Sequence, residues 1–258
     1  LLLIVLPLLL IVGCSKPEPI NYETTLVDRE GVFYTKDTNK PYSGPVFSLY
    51  EDGKKKDEGS MKDGKMVSYK EFEWHENGQK SREATFKYGE LHGLVTEWHE
   101  NGQKWREGTV NHGELDGLYT EWHENGQKFR EETYKDGKEV GLSLQWHDNG
   151  QKEWEITYKD GKEVGLRTGW YENGKKKYEG NSKDGERDGL VTMWYENGQK
   201  EWEITFKDGE RDGLVTKWYE DGQKEEEATY KDGELISEEC WDEDGNDCEC
   251  TKYGTGCK

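Results

Sequence analysis

The chain has 258 residues and a formal net charge of −20, and Leu, Ile, Val and Phe occupy 43 positions. That is about 17 %, under the ~20 % at which high charge usually accompanies disorder, so a large enzyme core is excluded. The acidity excludes a nucleic-acid binder, which needs clustered Lys and Arg, while 11 Trp and 15 Tyr exclude disorder.

Residues 1–13 form one uncharged apolar run. Thirteen residues rise about 20 Å as a helix, short of the ~30 Å hydrocarbon core, so the run reads as a lipoprotein-type signal peptide and not as a membrane span. It ends in Ile11-Val12-Gly13-Cys14, which resembles the lipobox of bacterial lipoproteins. That resemblance implies cleavage before Cys14, a diacylglycerol anchor on its sulfur, and membrane contact through this lipid at the extracytoplasmic cell envelope. Residues 14–39, opening Ser15-Lys16-Pro17-Glu18-Pro19, read as a polar lipid-anchored tether.

Residues 40–239 are a repeat array. Trp recurs at Trp74, Trp98, Trp122, Trp146, Trp170, Trp194 and Trp218, each 24 residues after the last. Gly follows in step at Gly78, Gly102, Gly126, Gly150, Gly174, Gly198 and Gly222. A second Gly column runs from Gly64 to Gly233 and a third from Gly93 to Gly213. The unit is Gly-Leu-x-Thr-x-Trp-(His/Tyr)-Glu-Asn-Gly-Gln-Lys-x-x-Glu-x-Thr-(Tyr/Phe)-Lys-Asp-Gly-x-x-x. Its Thr, Trp, Tyr and Val content and its Asn-Gly and Asp-Gly turns predict one β-hairpin per unit.

Two hairpin registers compete. A two-residue Asn-Gly turn pairs His99 with Lys104; a three-residue loop with Gly102 left-handed pairs His99 with Gln103. The apolar pattern favours the second. It gathers Leu142, Leu144, Trp146, Trp154, Ile156 and Tyr158 on one face, with Leu144 opposite Trp154 and Leu142 opposite Ile156. In the next-but-one unit it gathers Leu190, Trp194, Trp202, Ile204 and Phe206. The other face, with Glu97, His99, Gln103, Glu107 and Thr109, is then polar and solvated. The expected fold is all-β: an elongated, solenoid-like antiparallel meander in a single twisted sheet. It has about 17 strands, roughly 80 Å at ~4.8 Å per strand. Twist is expected to curl the aromatic face inward.

The repeated polar columns read as structure. His75, His99, His123 and His147 lie about 9.6 Å apart, too far for one metal ion. The Glu column from Glu83 to Glu227 offers identical environments, whereas acid–base pairs need unlike ones. Asp242 to Asp247 resembles a Ca²⁺ loop but falls on the Asn-Gly column, and it lacks the closing bidentate Glu. Residues 240–258 form a Cys-rich cap in which Cys240, Cys248, Cys250 and Cys257 suggest two disulfides, with three connectivities open. Their spacing does not match a zinc site. No nucleophile–base or phosphate-loop constellation is present, so no catalytic residue, metal or cofactor is assigned.

The unit resembles the MORN-repeat variant family, through Trp-Tyr-Glu-Asn-Gly-Gln-Lys at 194–200 and Thr-Phe-Lys-Asp-Gly-Glu-Arg-Asp-Gly-Leu at 205–214. The resemblance implies a β-hairpin array that mediates protein contacts, and some bacterial members carry an antitoxin-like label. The expected function is therefore a non-catalytic protein-binding or scaffold module at the bacterial envelope. Its partner is a protein and not a nucleic acid, and the seven tryptophans are the candidate binding face. Glycan binding through the same Trp/Tyr ladder is the alternative, and an antitoxin or immunity role beside a toxin is another.

Overall fold

The computed structural model describes residues 17–250 and Cys257. Cys14 and the apolar run 1–13 lie outside the described residues. The strands form one mixed sheet of 22 strands, with a separate two-stranded sheet at Leu26–Arg29 and Val32–Thr35. Gly44–Leu49, Lys55–Lys62 and Lys65–Trp74 pair antiparallel in turn, and Glu90–Trp98, Lys104–Asn111 and Glu114–Trp122 begin a second such run. The expectation of about 17 strands falls short for two local reasons. Left-handed Gly141, Gly165 and Gly189 each divide a strand in two, and Ile20–Asn21 and Asp247–Cys248 add short ones.

The turns follow from their residues. At the Asn-Gly end His99 N donates to Gln103 O at 2.9 Å, Gly102 N donates to His99 O at 2.9 Å, and Gly102 has φ +83°. This is the three-residue loop with a left-handed glycine, as the sequence predicts. At the Asp-Gly end Asp136 and Gly137 both have positive φ, 48° and 73°, and Lys135 faces Lys138. That is a two-residue turn whose twist matches the strands it joins.

The expected face assignment is overturned by a second irregularity. Trp146 faces Lys152, but Gln145 faces Trp154, so Glu153 is an extra residue on the return strand. Beyond it Leu144 faces Glu155, Ser143 faces Ile156 and Leu142 faces Thr157. One inserted residue moves all that follows to the opposite face. Trp154, Ile156 and Tyr158 therefore lie across the sheet from Leu142, Leu144 and Trp146. The same shift recurs at Trp105, Phe129, Lys177, Glu201 and Glu225.

The chain divides into two units. The first contains residues 17–72 and 86–89 of the described chain. Its N-terminal part, expected as tether, is folded. Ile20–Asn21 pairs parallel with Val46 and Phe47, and Asn21 caps the short helix Tyr22–Thr25 by accepting from Glu23 N and Thr24 N. Leu26 is buried with Val46 and Met61, and Tyr22 packs edge-on against Phe33 at 5.3 Å. The Tyr22 hydroxyl and the buried Ser48 hydroxyl both donate to Asp57 Oδ2, at 2.9 and 2.6 Å. The apolar residues spaced through a polar stretch give this segment something to bury. The second unit contains residues 73–85 and 90–250 with Cys257. Its core cluster is Val191, Ile204, Phe206, Val215 and Ala228.

Gly150 has φ +81°. Gly150→Val is expected to cost about 1–3 kcal/mol, and Gly150→Asn less, because Asn tolerates the left-handed region. Urea unfolding of the two variants beside the parent checks this; three equal midpoints would contradict the turn geometry.

Candidate functional site

The inserted residue sorts the second unit into two unlike faces. One carries the nearly invariant residues of the repeat. Trp98, Trp122, Trp146, Trp170, Trp194 and Trp218 stand half-buried in a file on it. Each ring bears the ammonium of a lysine from the preceding unit, from Lys80 over Trp98 to Lys200 over Trp218, at 5.2–5.8 Å from the ring centre. Each of these lysines also pairs with the glutamate three residues on, as in Lys104–Glu107 and Lys152–Glu155 at 2.6 Å. In a regular strand residues i and i+3 point to opposite faces; the inserted residue brings them to one. Thr96 Oγ1 donates to Glu107 Oε2 at 3.0 Å and is buried beside it. The tryptophans are thus neither fully buried core nor bare platforms. Trp74 is half-buried like the others.

The loop ends are tied from unit to unit. The His column, expected as a solvated ladder, is half-buried and bonded. A His75 Nε2–H donates to Trp98 O at 2.8 Å and a His147 Nε2–H to Trp170 O at 2.9 Å. Where the column changes residue, the hydroxyls of Tyr171 and Tyr195 donate to Trp194 O and Trp218 O at 2.6 and 2.7 Å. Tyr takes over from His in the later units of this column because both reach the equivalent carbonyl with a donor. Asn101 Oδ1 accepts from Gln103 N within its own loop while its Nδ2 donates to Glu124 O at 2.8 Å in the next. The opposite turns are linked too, Gly137 N donating to Leu115 O at 2.9 Å.

The other face carries the positions that differ between repeats. One cross-strand row begins with Glu–Arg pairs. Glu73–Arg82 lies at 3.0 Å, Glu97–Arg106 is bidentate at 2.9 and 2.8 Å, and Glu121–Arg130 lies at 3.1 Å. It continues as Gln145 opposite Trp154, Gly169 opposite Tyr178 and Met193 opposite Trp202. It ends reversed, with Lys217 opposite Glu226. The Arg167 guanidinium lies 4.2 Å from the ring centre of Trp154 and 5.5 Å from that of Tyr178. A hollow of about 320 Å³ opens where the side chains are small, between Leu91, Val95, Gly108, Val110 and Leu115, with Arg82 and Arg106 among its lining. Burial and a hydrogen bond to Glu121 push the Tyr119 phenol up to about 12.

The model for the family described as "MORN repeat variant" matches residues 91–112, 115–136, 163–184, 187–208 and 211–232. Residues 91–232 carry five repeats of the MORN repeat variant family. No curated protein matches its sequence. Each matched MORN stretch runs from one Asp-Gly-type turn to the next and so holds one complete hairpin. Residues 141–158, between matched stretches, fold in the same register.

At the end of the MORN array Cys240 is bonded to Cys250 and Cys248 to Cys257. Glu238 lies with the Cys240 and Cys250 sulfurs in one cluster within 4.8 Å, but both sulfurs are committed to the disulfide. Asp242 N donates to Asn246 O and Gly245 N to Asp242 O, both at 2.9 Å, so this turn keeps the backbone pattern of the MORN turns while the Asp242 carboxylate accepts from Asp244 N and Asn246 N at 3.1 and 2.8 Å.

Two predictions follow from these contacts. His123→Tyr should keep the stability of the parent, since tyrosine supplies the donor at 171. His123→Phe should lose about 0.5–1.5 kcal/mol; equal midpoints in chemical denaturation for both variants would remove the column's structural role. Glu226 is 2 % exposed and its Oε2 has no hydrogen-bond partner. Burial pushes its carboxyl above the usual carboxylate range, Glu238 and Glu225 add to this, and Lys217 and Arg211 oppose it. With the folded value above the unfolded one, the penalty is absent below the unfolded pKa and grows as pH rises through the folded one. Glu226→Gln should therefore stabilise the protein at about pH 8 and change little at about pH 3, as read by thermal unfolding of both proteins across that range.

Proposed function

We propose that the chain is a non-catalytic module that holds a protein partner on its repeat-specific face, from a lipid-anchored position at the bacterial cell envelope. MORN repeats make a repeat-based binding or scaffold module. The finer reading rests on one observation. The Trp, Lys, Glu and Thr that recur along the array contact each other, whereas the cross-strand row on the opposite face changes along the array, from three Glu–Arg pairs to Trp and Tyr. A lattice of Trp, Lys, Glu and Thr holds the register. A row that runs from Glu–Arg pairs through Trp154 and Tyr178 to Trp202 offers a sequence of contacts that a partner can match once. Arg, Trp and Tyr are also the residues that dominate protein interfaces.

The envelope position rests on Cys14 at the end of its apolar run, and the two disulfides suit an oxidising compartment. Sugar stacking on the invariant tryptophans is less well supported, because each of the six rings from Trp98 to Trp218 already carries a lysine ammonium.

The test is capture of envelope and secreted proteins on the full chain in detergent. One protein retained near stoichiometric amount is expected. Tyr178→Ala or Arg106→Ala should weaken its retention by about tenfold or more, the loss of a single interface anchor, while Leu142→Gln on the other face should not. Retained glycan without protein would contradict the reading.

A further inference from the structure

The buried carboxylate of Glu226 serves no contact of the repeat lattice. It is 2 % exposed, and its Oε2 has no hydrogen-bond partner. The next strand, Glu234–Trp241, sets Cys240 opposite Glu226 and Glu238 opposite Ala228. Positions two apart on a strand share a face, so Glu226, Glu238 and Cys240 lie together on one face of this pair. The Cys240–Cys250 bond holds Cys250 beside them, with Cα atoms 5.4 Å apart. A carboxylate oxygen of Glu238 and the two sulfurs lie within 4.8 Å of one another. We propose that Cys240 and Cys250, when reduced, bind a divalent metal ion of the zinc class together with Glu238 and Glu226. The cap is then closed by a metal in the reduced chain and by a disulfide in the oxidised one. This site is independent of the partner-binding face.

The donors select the ion. Ca²⁺ and Mg²⁺ take oxygen ligands, whereas two thiolates with two carboxylates make a four-donor set suited to Zn²⁺ or Co²⁺. Donors ~2.0–2.3 Å from a tetrahedral ion stand about 3.3–3.8 Å from one another. The cluster of Glu238 and the two sulfurs is close to that spread, and parting of the sulfurs on reduction makes room between them. Glu226 supplies the fourth donor from a fixed place in the sheet. The nearby cations are engaged elsewhere: Lys217 pairs with Glu225 at 2.7 Å, and Arg211 donates to the Tyr230 hydroxyl at 3.2 Å. The cysteines are 10 residues apart in sequence, wider than the usual zinc pair, because the sheet and not the interval brings the other two donors.

The two closures exclude each other, since the thiolate is the metal ligand and a disulfide sulfur is not one. Binding releases one proton from each thiol and forms two metal–sulfur bonds. Exchange with an oxidising disulfide then removes two electrons from the sulfur pair and forms the Cys240–Cys250 bond. The ion leaves, and the oxidant's disulfide becomes two thiols.

Cobalt(II) titration tests this. The full chain in detergent carries Cys14→Ser, so that only the cap thiols respond. A trialkylphosphine reduces it; the phosphine takes oxygen from water to become phosphine oxide, and each disulfide gains two electrons and two protons. The expected result is a one-to-one complex with the visible spectrum of tetrahedral cobalt and a sulfur-to-cobalt charge-transfer band, both lost when Zn²⁺ is added. The unreduced protein should give neither. Cys248→Ser with Cys257→Ser should keep the complex. Glu238→Gln and Glu226→Gln should each weaken it by about tenfold or more, at least the loss that outer-shell changes cause. Because Glu226→Gln is expected to stabilise the oxidised fold, weaker cobalt binding in that variant reports the lost ligand and not a weakened sheet. No tetrahedral spectrum in the reduced parent, an unchanged affinity in either glutamine variant, or a complex abolished by removing Cys248 and Cys257 would each overturn the proposal.

Discussion

The structure of the repeat depends on one inserted residue in each return strand. Glu153 in one unit, Trp105 in another and Glu201 in a third break the pairing between the tryptophan and the rest of its hairpin. The insertion leaves the turn untouched and moves every later side chain to the opposite face. Without it, lysine and the glutamate three residues on would point apart, and leucine, tryptophan and isoleucine would share one side. With it, the sheet has one face of identical contacts and one of individual contacts.

The identical face replaces a conventional core. Each unit adds a cation over a ring, an ion pair and hydrogen bonds from His or Tyr and from Asn into the next unit. Each is modest, about 0.5–1 kcal/mol for an exposed cation–π contact and about 0.5–1.5 kcal/mol for a hydrogen bond. They repeat in every unit and lie between neighbours, which is how a stacked array gains stability with few aliphatic residues. The opposite face adds a local apolar cluster around Val191, Ile204 and Val215, and it tolerates costly groups such as the buried Glu226.

Much of this was legible in the sequence. The 24-residue period, the hairpins, the left-handed Gly102 and the family follow from residues whose conformational needs are local. The face assignment was not, because the apolar residues of one unit, Leu142, Leu144, Trp154 and Ile156, fit a single face as neatly as two. A signal was present all the same: Lys-x-x-Glu recurs in every unit, as at Lys104 and Glu107, and a regular strand gives that spacing no purpose. The His column was misjudged for a related reason. Its bond reaches a carbonyl 23 residues away, and the substitution of Tyr171 for His147 marks a shared donor only when that carbonyl is known. The folded stretch from Ile20 to Thr35 was hidden by its polar composition.

The division of labour between the faces is the central claim, and it rests on the inserted residue. Disulfide trapping measures it most directly, by placing cysteine pairs at 145 and 154 in one variant and at 144 and 154 in another. The account predicts that Gln145→Cys with Trp154→Cys forms a bond under mild oxidation, whereas Leu144→Cys with Trp154→Cys does not. Efficient bonding of the 144–154 pair would place Leu144 and Trp154 on one face and contradict the separation on which the functional reading depends.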